Sequence, residues 1–263
     1  LSAVKQMRHP DALVRLHGGD RALFASDMHL NERDPATVAA FTTALRRHGA
    51  DATHLFLLGD LFDLWVGDDH HDAVADALGD CIRQLADGSR PVWLMRGNRD
   101  FLIDTGAPTF SQRHHARLLP DPCLIELFGE RVLLAHGDAL CIDDVPYQRL
   151  RAQMRSQQWQ RDFLAQPLAA RLDFARGLRN RSEHEKQGKA ETLMDANEGE
   201  VRRVMRKAGV TTMIHGHTHR PAHHRDQFDG LTLHRWVLPD WDQAAGRGGF
   251  LSVDAAGWHF VAP

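Results

Sequence analysis

Five short apolar runs lie between residues 23 and 219, and each stops at, or within three residues of, a side chain with a cation-binding atom. Leu23-Phe24-Ala25-Ser26 runs into Asp27-Met28-His29, and His54-Leu55-Phe56-Leu57-Leu58 into Gly59-Asp60. Val92-Trp93-Leu94-Met95 runs into Arg96-Gly97-Asn98, Val132-Leu133-Leu134-Ala135 into His136-Gly137-Asp138, and Thr212-Met213-Ile214 into His215-Gly216-His217-Thr218-His219. Unbroken runs of this length read as strands buried on both faces. The carboxyl ends of such strands are where open α/β sheets place their ligands. One Asp after a strand is ordinarily a turn or helix-capping residue. Five ends that repeatedly supply Asp, His and Asn instead predict a common site in which Asp60 bridges two metal ions.

The remaining pattern fills in the fold. The first strand is expected at Arg21 to Ser26, with Asp27 and His29 leaving it in extended backbone that would put both on one face. Pro35 to Arg47 reads as an amphipathic helix with Val38, Phe41 and Leu45 on its stripe. Asp68-Asp69-His70-His71-Asp72 reads as the acidic first turn of a helix carrying Val74, Leu78, Ile82 and Leu85, not as a further metal cluster. Between His136 and Met213 lies far more chain than the roughly 12 residues of a minimal crossover, so something is inserted.

That insertion reads as helical from Pro146, with Pro167 interrupting, Leu164, Leu168 and Leu172 recurring every fourth residue among arginines, and a second helix from Ala190 to Lys207. Such a stripe ordinarily closes a helical hairpin, while a basic face beside an apolar one also suits anionic lipid or acyl chains. The tail segments Leu231–Leu238, Gly249–Val253 and Trp258–Val261 read as strands completing a second sheet against the first. His223 and His224 are expected in a solvent-facing loop, Trp236 and Trp241 in the core. The expected fold class is α/β, a two-sheet sandwich flanked by helices, with a core of residues 21–144 and 209–263 and a helical lid of residues 145–208.

Composition narrows the function. With 263 residues, 43% hydrophobic and 25% charged, the chain can bury one large core, or one core plus a sub-domain. A net charge of -3 argues against general polyanion binding, so no nucleic-acid partner is expected, and no protein partner is evident. Three cysteines, Cys81, Cys123 and Cys141, fit a reducing compartment and no disulfide framework. The first twenty residues do not resemble an export signal, and no run approaches the roughly 20 apolar residues of a membrane span. A cytoplasmic protein that touches a membrane without crossing it is expected.

Arg96-Gly97-Asn98-Arg99-Asp100 is the most informative loop. Gly97 permits a close turn, Asn98 offers a neutral carbonyl oxygen to a cation, and Arg99 offers a fixed fork to phosphate oxygens. A surface turn with an Arg99–Asp100 ion pair is the plain alternative. Together, Asp27-x-His29, Gly59-Asp60, Gly97-Asn98, His136-Gly137 and Gly216-His217-Thr218-His219 resemble the successive blocks of the calcineurin-like metallophosphoesterases, over roughly Arg21 to Phe260.

Finer detail is similar to the branch of that family that cleaves UDP-2,3-diacylglucosamine in lipid A biosynthesis. It lies in Ser26 to Leu30, Gly59 to Asp63 with Gly67-Asp68-Asp69, Gly97 to Leu102, His136 to Asp144, and His215 to Pro221. The resemblance implies one metal on Asp27, His29, Asp60 and His219 and a second on Asp60, Asn98, His136 and His217, leaving His215 as a packed neighbour. A thiolate-free donor set suits two divalent ions such as Mn²⁺, which can activate water and clamp a phosphoryl oxygen.

Many members carry His after the loop Asn as a proton donor, where this chain has Arg99, which is effectively never deprotonated. A leaving group that is itself a phosphate needs charge more than a proton, so Arg99 fits a pyrophosphate substrate. The expected reaction releases UMP and 2,3-diacylglucosamine 1-phosphate at the cytoplasmic face of the inner membrane. The resemblance further implies that the lid receives the acyl chains and that Asn98, Arg99, Asp144, Ser182, Lys186, Lys189 and His217 contact substrate. Asp144 reads equally as the cap of the Pro146 helix, and Ser182 as a cap or turn residue. Another dimetal phosphoesterase, acting on a soluble nucleotide or phosphoprotein, and a non-catalytic scaffold are the alternatives.

Overall fold

The structure, a computed structural model, describes residues 12–86, 90–186 with side chains through 180, and 195–263. Two six-stranded sheets pack face to face. In the first, strands β1 (Arg15–Leu16), β6 (Cys123–Leu127), β7 (Glu130–Ala135), β8 (Thr212–His215), β10 (Leu231–Val237) and β9 (Ala222–Phe228) lie in that order. In the second the order is β12 (Gly257–Val261), β11 (Phe250–Asp254), β2 (Arg21–Ala25), β3 (His54–Leu58), β4 (Val92–Met95) and β5 (Ala116–Leu119). The runs β2-β3-β4-β5 and β7-β8-β10 are parallel.

Why the runs are apolar throughout is now plain, because successive side chains point to opposite faces and both faces are covered. From β2 and β3, Phe24, Phe56 and Leu58 meet Leu134 and Ile214 of the other sheet in the central core. Phe24 and Phe56 stack with ring centroids 4.6 Å apart. The intervening Leu23, Ala25, Leu55 and Leu57 face helices α1 (Pro35–Gly49) and α2 (Ala73–Leu85), and Phe110 of the one-turn α3 (Phe110–Arg113) joins the same cluster. On the far side, Leu133 and Met213 pack under Val201 and Met205 of α7 (Glu198–Ala208). The result is a helix–sheet–sheet–helix sandwich. No helix among the described residues is long and apolar enough to cross a membrane.

Between β7 and α7 run a 3₁₀ turn (Asp138–Leu140) and the helices α4 (Val145–Met154), α5 (Gln157–Leu164) and α6 (Leu168–Lys186). Asp144 caps α4 through Tyr147 N at 3.2 Å, and Pro146 occupies its first turn. Phe163 is buried, and Met154, Trp159, Leu164, Leu168, Leu172 and Ala175 pack against the cluster that contains Trp65, Phe101 and Leu102. The leucine stripe therefore serves packing against the sandwich. Arg171, almost wholly buried, donates from Nη1 to the Val66 carbonyl at 2.6 Å and from Nε to the Gln166 carbonyl at 3.1 Å, and pairs with Asp69.

Several expectations need correction. A two-residue strand, Arg15–Leu16, precedes the expected first one and pairs in parallel with β6, so residues ahead of Arg21 belong to the sandwich. Residues 68–72 are a loop, not a helical first turn. Only Asp72 caps α2, at 2.7 Å from Ala75 N, while buried Asp68 accepts from Trp65 Nε1, Asp104 N and Gly106 N. The second helix of the insertion begins at Glu198, where Asn197 caps it; residues 190–194 lie outside the described part. The tail strands divide between the sheets, β10 joining the first and β11 and β12 the second. His223 and His224 lie in β9, and His223 stacks on Trp236 with centroids 3.8 Å apart.

Candidate metal centre

All five strand ends open at one end of the sandwich. Asp27, His29 and His219 come together there, as do Asp60, His136 and His217, with the ligand atoms of each trio within 4.8 Å of one another. Asp60 stands between them: its Oδ2 is 3.8 Å from His29 Nδ1 and its Oδ1 is 3.6 Å from His136 Nε2. Asn98 Oδ1 lies 3.0 Å from His136 Nε2, and His29 Nε2 lies 3.2 Å from His219 Nε2.

The backbone that achieves this is not extended. Asp27, His29, Asp60, His217 and His219 have φ values of 57°, 48°, 52°, 68° and 54°, all in the left-handed region that non-glycine residues seldom occupy. Asp27 and His29 thus share a face through two left-handed residues, which corrects the strand-alternation expectation. Close approach does the rest. A Cβ on Gly97 would lie 2.1 Å from Asp60 Oδ1, and one on Gly216 would lie 2.3 Å from Asp27 Oδ2, so only glycine admits these loops to one another. Asp100 is buried and accepts from Gly97 N at 2.7 Å, Leu61 N at 2.7 Å and Asp60 N at 3.3 Å. Its carboxylate ties two ligand loops together from a fully buried position, where a surface ion pair with Arg99 had been the plain alternative.

The donors fit a pair of cations. Asp27 Oδ1 is buried with no hydrogen-bond partner among the described residues, while Oδ2 accepts from Ser26 Oγ and from His217 N. His136 Nδ1 can only donate to the Leu58 carbonyl 2.9 Å away, which turns Nε2 toward Asp60 and Asn98. His219 shows the same arrangement, with Nδ1 3.4 Å from Asp240 Oδ2 and Nε2 3.5 Å from Asp27 Oδ1.

Electrostatics distribute the protons. Burial opposes the charge on His136, but Asp60, Asp27, Asp138 and Asp121 outweigh it and push its pKa up to about 9. His219 is likewise raised to about 9, burial being overcome by Asp240 and Asp27. Burial and the charge of His136 push His217 down to about 3, leaving it neutral. Asp60 is raised to about 6, chiefly by burial, and Asp27 is held well below the usual carboxylate range because its histidines outweigh burial. His215 stays outside both trios. It donates from Nδ1 to the Gly216 carbonyl and accepts from Arg235, and burial lowers it to about 4.

Beside the centre an apolar groove runs between the loops after β3 and β4 and the helices α4–α6. Asn98 and Arg99 stand at its edge, and Trp65, Phe101, Leu150, Met154, Trp159 and Phe174 contribute walls. Arg99 N donates to Asp60 Oδ1 at 2.8 Å. Of the remaining expected contacts, Asp144 is the α4 cap, Ser182 and Lys186 lie in α6 beyond its described side chains, and Lys189 lies outside the described residues.

Asp138 closes one of the expected strand ends without joining either trio, and its three partners on and beside α4 were not anticipated. Asp138, fully buried, accepts from Tyr147 Oη at 2.9 Å, from Arg151 Nε at 2.7 Å and from Arg155 Nη2 at 3.3 Å. The signal was present, since positions 147, 151 and 155 recur every fourth residue and share one helix face.

The calcineurin-like phosphoesterase family profile matches residues 21–221. The chain is 46% identical over 243 residues to a UDP-2,3-diacylglucosamine hydrolase of Stenotrophomonas maltophilia, covering 90% of this chain and 96% of that one. It is 44% identical over 236 residues to the enzyme of that name from Aromatoleum aromaticum, covering 90% and 94% of the two chains. With the one from Chromobacterium violaceum it shares 46% over 235 residues, covering 89% and 95%.

Proposed function

The chain belongs to the calcineurin-like phosphoesterases, a family of dimetal hydrolases, and on that premise we propose that it cleaves the pyrophosphate bond of UDP-2,3-diacylglucosamine, releasing UMP and 2,3-diacylglucosamine 1-phosphate. The observation that carries this reading is the apolar groove that meets the centre at Asn98 and Arg99. A soluble nucleotide or phosphoprotein gives such a groove nothing to do, whereas a diacylated sugar phosphate fills it with acyl chain while its phosphates reach the ligands.

Asp27, His29, Asp60 and His219 would hold one ion and Asp60, Asn98, His136 and His217 the other. Imidazole, carboxylate and amide donors without thiolate favour Mn²⁺ among borderline ions. Two such ions supply Lewis acidity toward a phosphoryl oxygen and lower the pKa of a water. The chain supplies placement. Neutral His217 and the Nε2 of His136 and His219 face inward, and Asp60 keeps the two ligand trios at a fixed spacing.

A water oxygen adds to the UMP phosphorus and gives up its protons to solvent, the bridging P–O bond breaks, and the sugar 1-phosphate leaves with the electron pair. Arg99 has no proton to give and stabilises that departing charge. Residues 145–208 act as a lid that receives acyl chains, and Asp144, Ser182, Lys186 and Lys189 contact substrate. The enzyme works as a peripheral protein at the cytoplasmic face of the inner membrane.

Turnover of UDP-2,3-diacylglucosamine, a cyclic nucleotide and an aryl phosphate by the Mn²⁺-loaded protein in H₂¹⁸O tests this. UMP carrying the label and strong preference for the diacylated substrate are expected. Label in the sugar phosphate, or preference for the aryl phosphate, would defeat it. Arg99→Ala should lose roughly 10²–10³-fold in kcat on the pyrophosphate, the range for removing one charge-stabilising donor.

A further inference from the structure

Helix α4 lies against the side of the centre formed by Asn98, His136 and His217, touching His217 itself and the chain neighbours of the other two. Asp138 sits two residues past His136 and is bound by Tyr147 and Arg151 of that helix and by Arg155, the residue that caps its carboxyl end. Arg155 Nη2 also donates to the Gly97 carbonyl at 3.1 Å, the peptide oxygen immediately before Asn98, and its guanidinium lies 5.7 Å from the Phe101 ring centroid in the same loop. The Tyr147 ring stacks on His217 with centroids 6.2 Å apart. On the same face of the helix, Leu150 and Met154 line the groove together with Tyr147, Arg151 and Arg155.

We propose that Arg155 is a positioning residue for the second ion, spanning the Asn98 loop and the His136 turn so that the groove-lining helix and that ion site hold each other in place. The proposal rests on the two-ion reading above. Its physical content is geometric: one nitrogen, Nη2, reaches a carbonyl and a carboxylate on two different loops at 3.1 and 3.3 Å, its hydrogens aimed by a guanidinium plane that lies over Phe101, an aim that an ammonium on a flexible stem holds less well. The first trio has its own brace: His219 Nδ1 lies 3.4 Å from Asp240 Oδ2, and Arg247 pairs with Asp240 at 3.0 Å. The two ions thus have separate supports, one from the tail and one from α4.

Mn²⁺ titration of the apo protein, followed by the electron paramagnetic resonance of free Mn²⁺, reads this without turnover. Wild type should take up two ions. Arg155→Met, which keeps the stem over Phe101, should hold one ion as wild type does and the other about 10–100-fold more weakly, the usual loss when a group bracing a ligand is removed. Arg155→Lys should show a smaller loss of the same ion. In an Asn98→Ala background Arg155→Met should cost little more, because both changes act on one site. Equal weakening of both ions, no weakening, or full additivity with Asn98→Ala would each overturn the proposal while leaving the two-ion centre standing. A wild-type protein that binds fewer than two ions would overturn the centre itself, and this inference with it.

Discussion

Asp27, His29, Asp60, His217 and His219 all occupy left-handed backbone, a conformation that costs a non-glycine residue roughly 1–3 kcal/mol when strained and that clusters at functional sites. Residue type was legible at these positions because the chemistry demands Asp and His. Conformation was not, since an extended Asp27-x-His29 and two left-handed residues have the same sequence. Gly97 shows the same division: the sequence marks a turn there, but only the fold brings Asp60 within 2.1 Å of where its Cβ would lie. Gly97→Ala should therefore cost about 1–3 kcal/mol through overpacking, lowering Tm by roughly 2–12 °C. It should also abolish binding of the ion at Asn98, both readable by calorimetry with and without Mn²⁺.

At the scale of elements, buried strands were easy to read and their partners were not. Phe24 and Leu23 alternate between two apolar environments, so β2 has no polar face to announce which way it points. Short β5 and β6 carry too little pattern to stand out, and β10 joined the first sheet because Trp236 and its neighbours pair in register with Thr212–His215. Helix α6 is held by a contact the leucine spacing could not reveal, Arg171 against Val66, Gln166 and Asp69. Arg171→Met should leave the buried Val66 carbonyl unsatisfied at about 1–3 kcal/mol, while the Gln166 carbonyl and the exposed Asp69 turn to water. Hydrogen exchange across residues 168–180 should then rise well above that of α1. The Arg171 hydrogen bond holds the Asp69 pKa below its ordinary value, so the stability it adds is present above the ordinary carboxylate pKa and is lost as pH falls through the depressed one.

For the molecule as a whole, the centre draws buried charge from both sheets, and cations should tie them together. Mn²⁺ at a hundred times its Kd should add about 2.7 kcal/mol per ion to stability, and a chelator should remove it. His136 and His219, both raised to about 9, carry protons at pH 7 that a cation must displace. Mn²⁺ binding should hence release protons at pH 7, and its affinity should climb with pH until about 9. Titration calorimetry in buffers of different ionisation enthalpy measures that release, and a pH-independent affinity from 6 to 9 would contradict it. What the sequence determined by itself was the inventory: which strands are buried on both sides, and which Asp, His and Asn end them, because burial and metal affinity both select residue types locally. Tertiary structure alone decided that five loops, three of them turned by left-handed ligand residues, face one point, that the tail strands split between sheets, and that Arg155 joins Asp138 to the Asn98 loop. Those facts depend on distances between residues remote along the chain, and no local pattern encodes them.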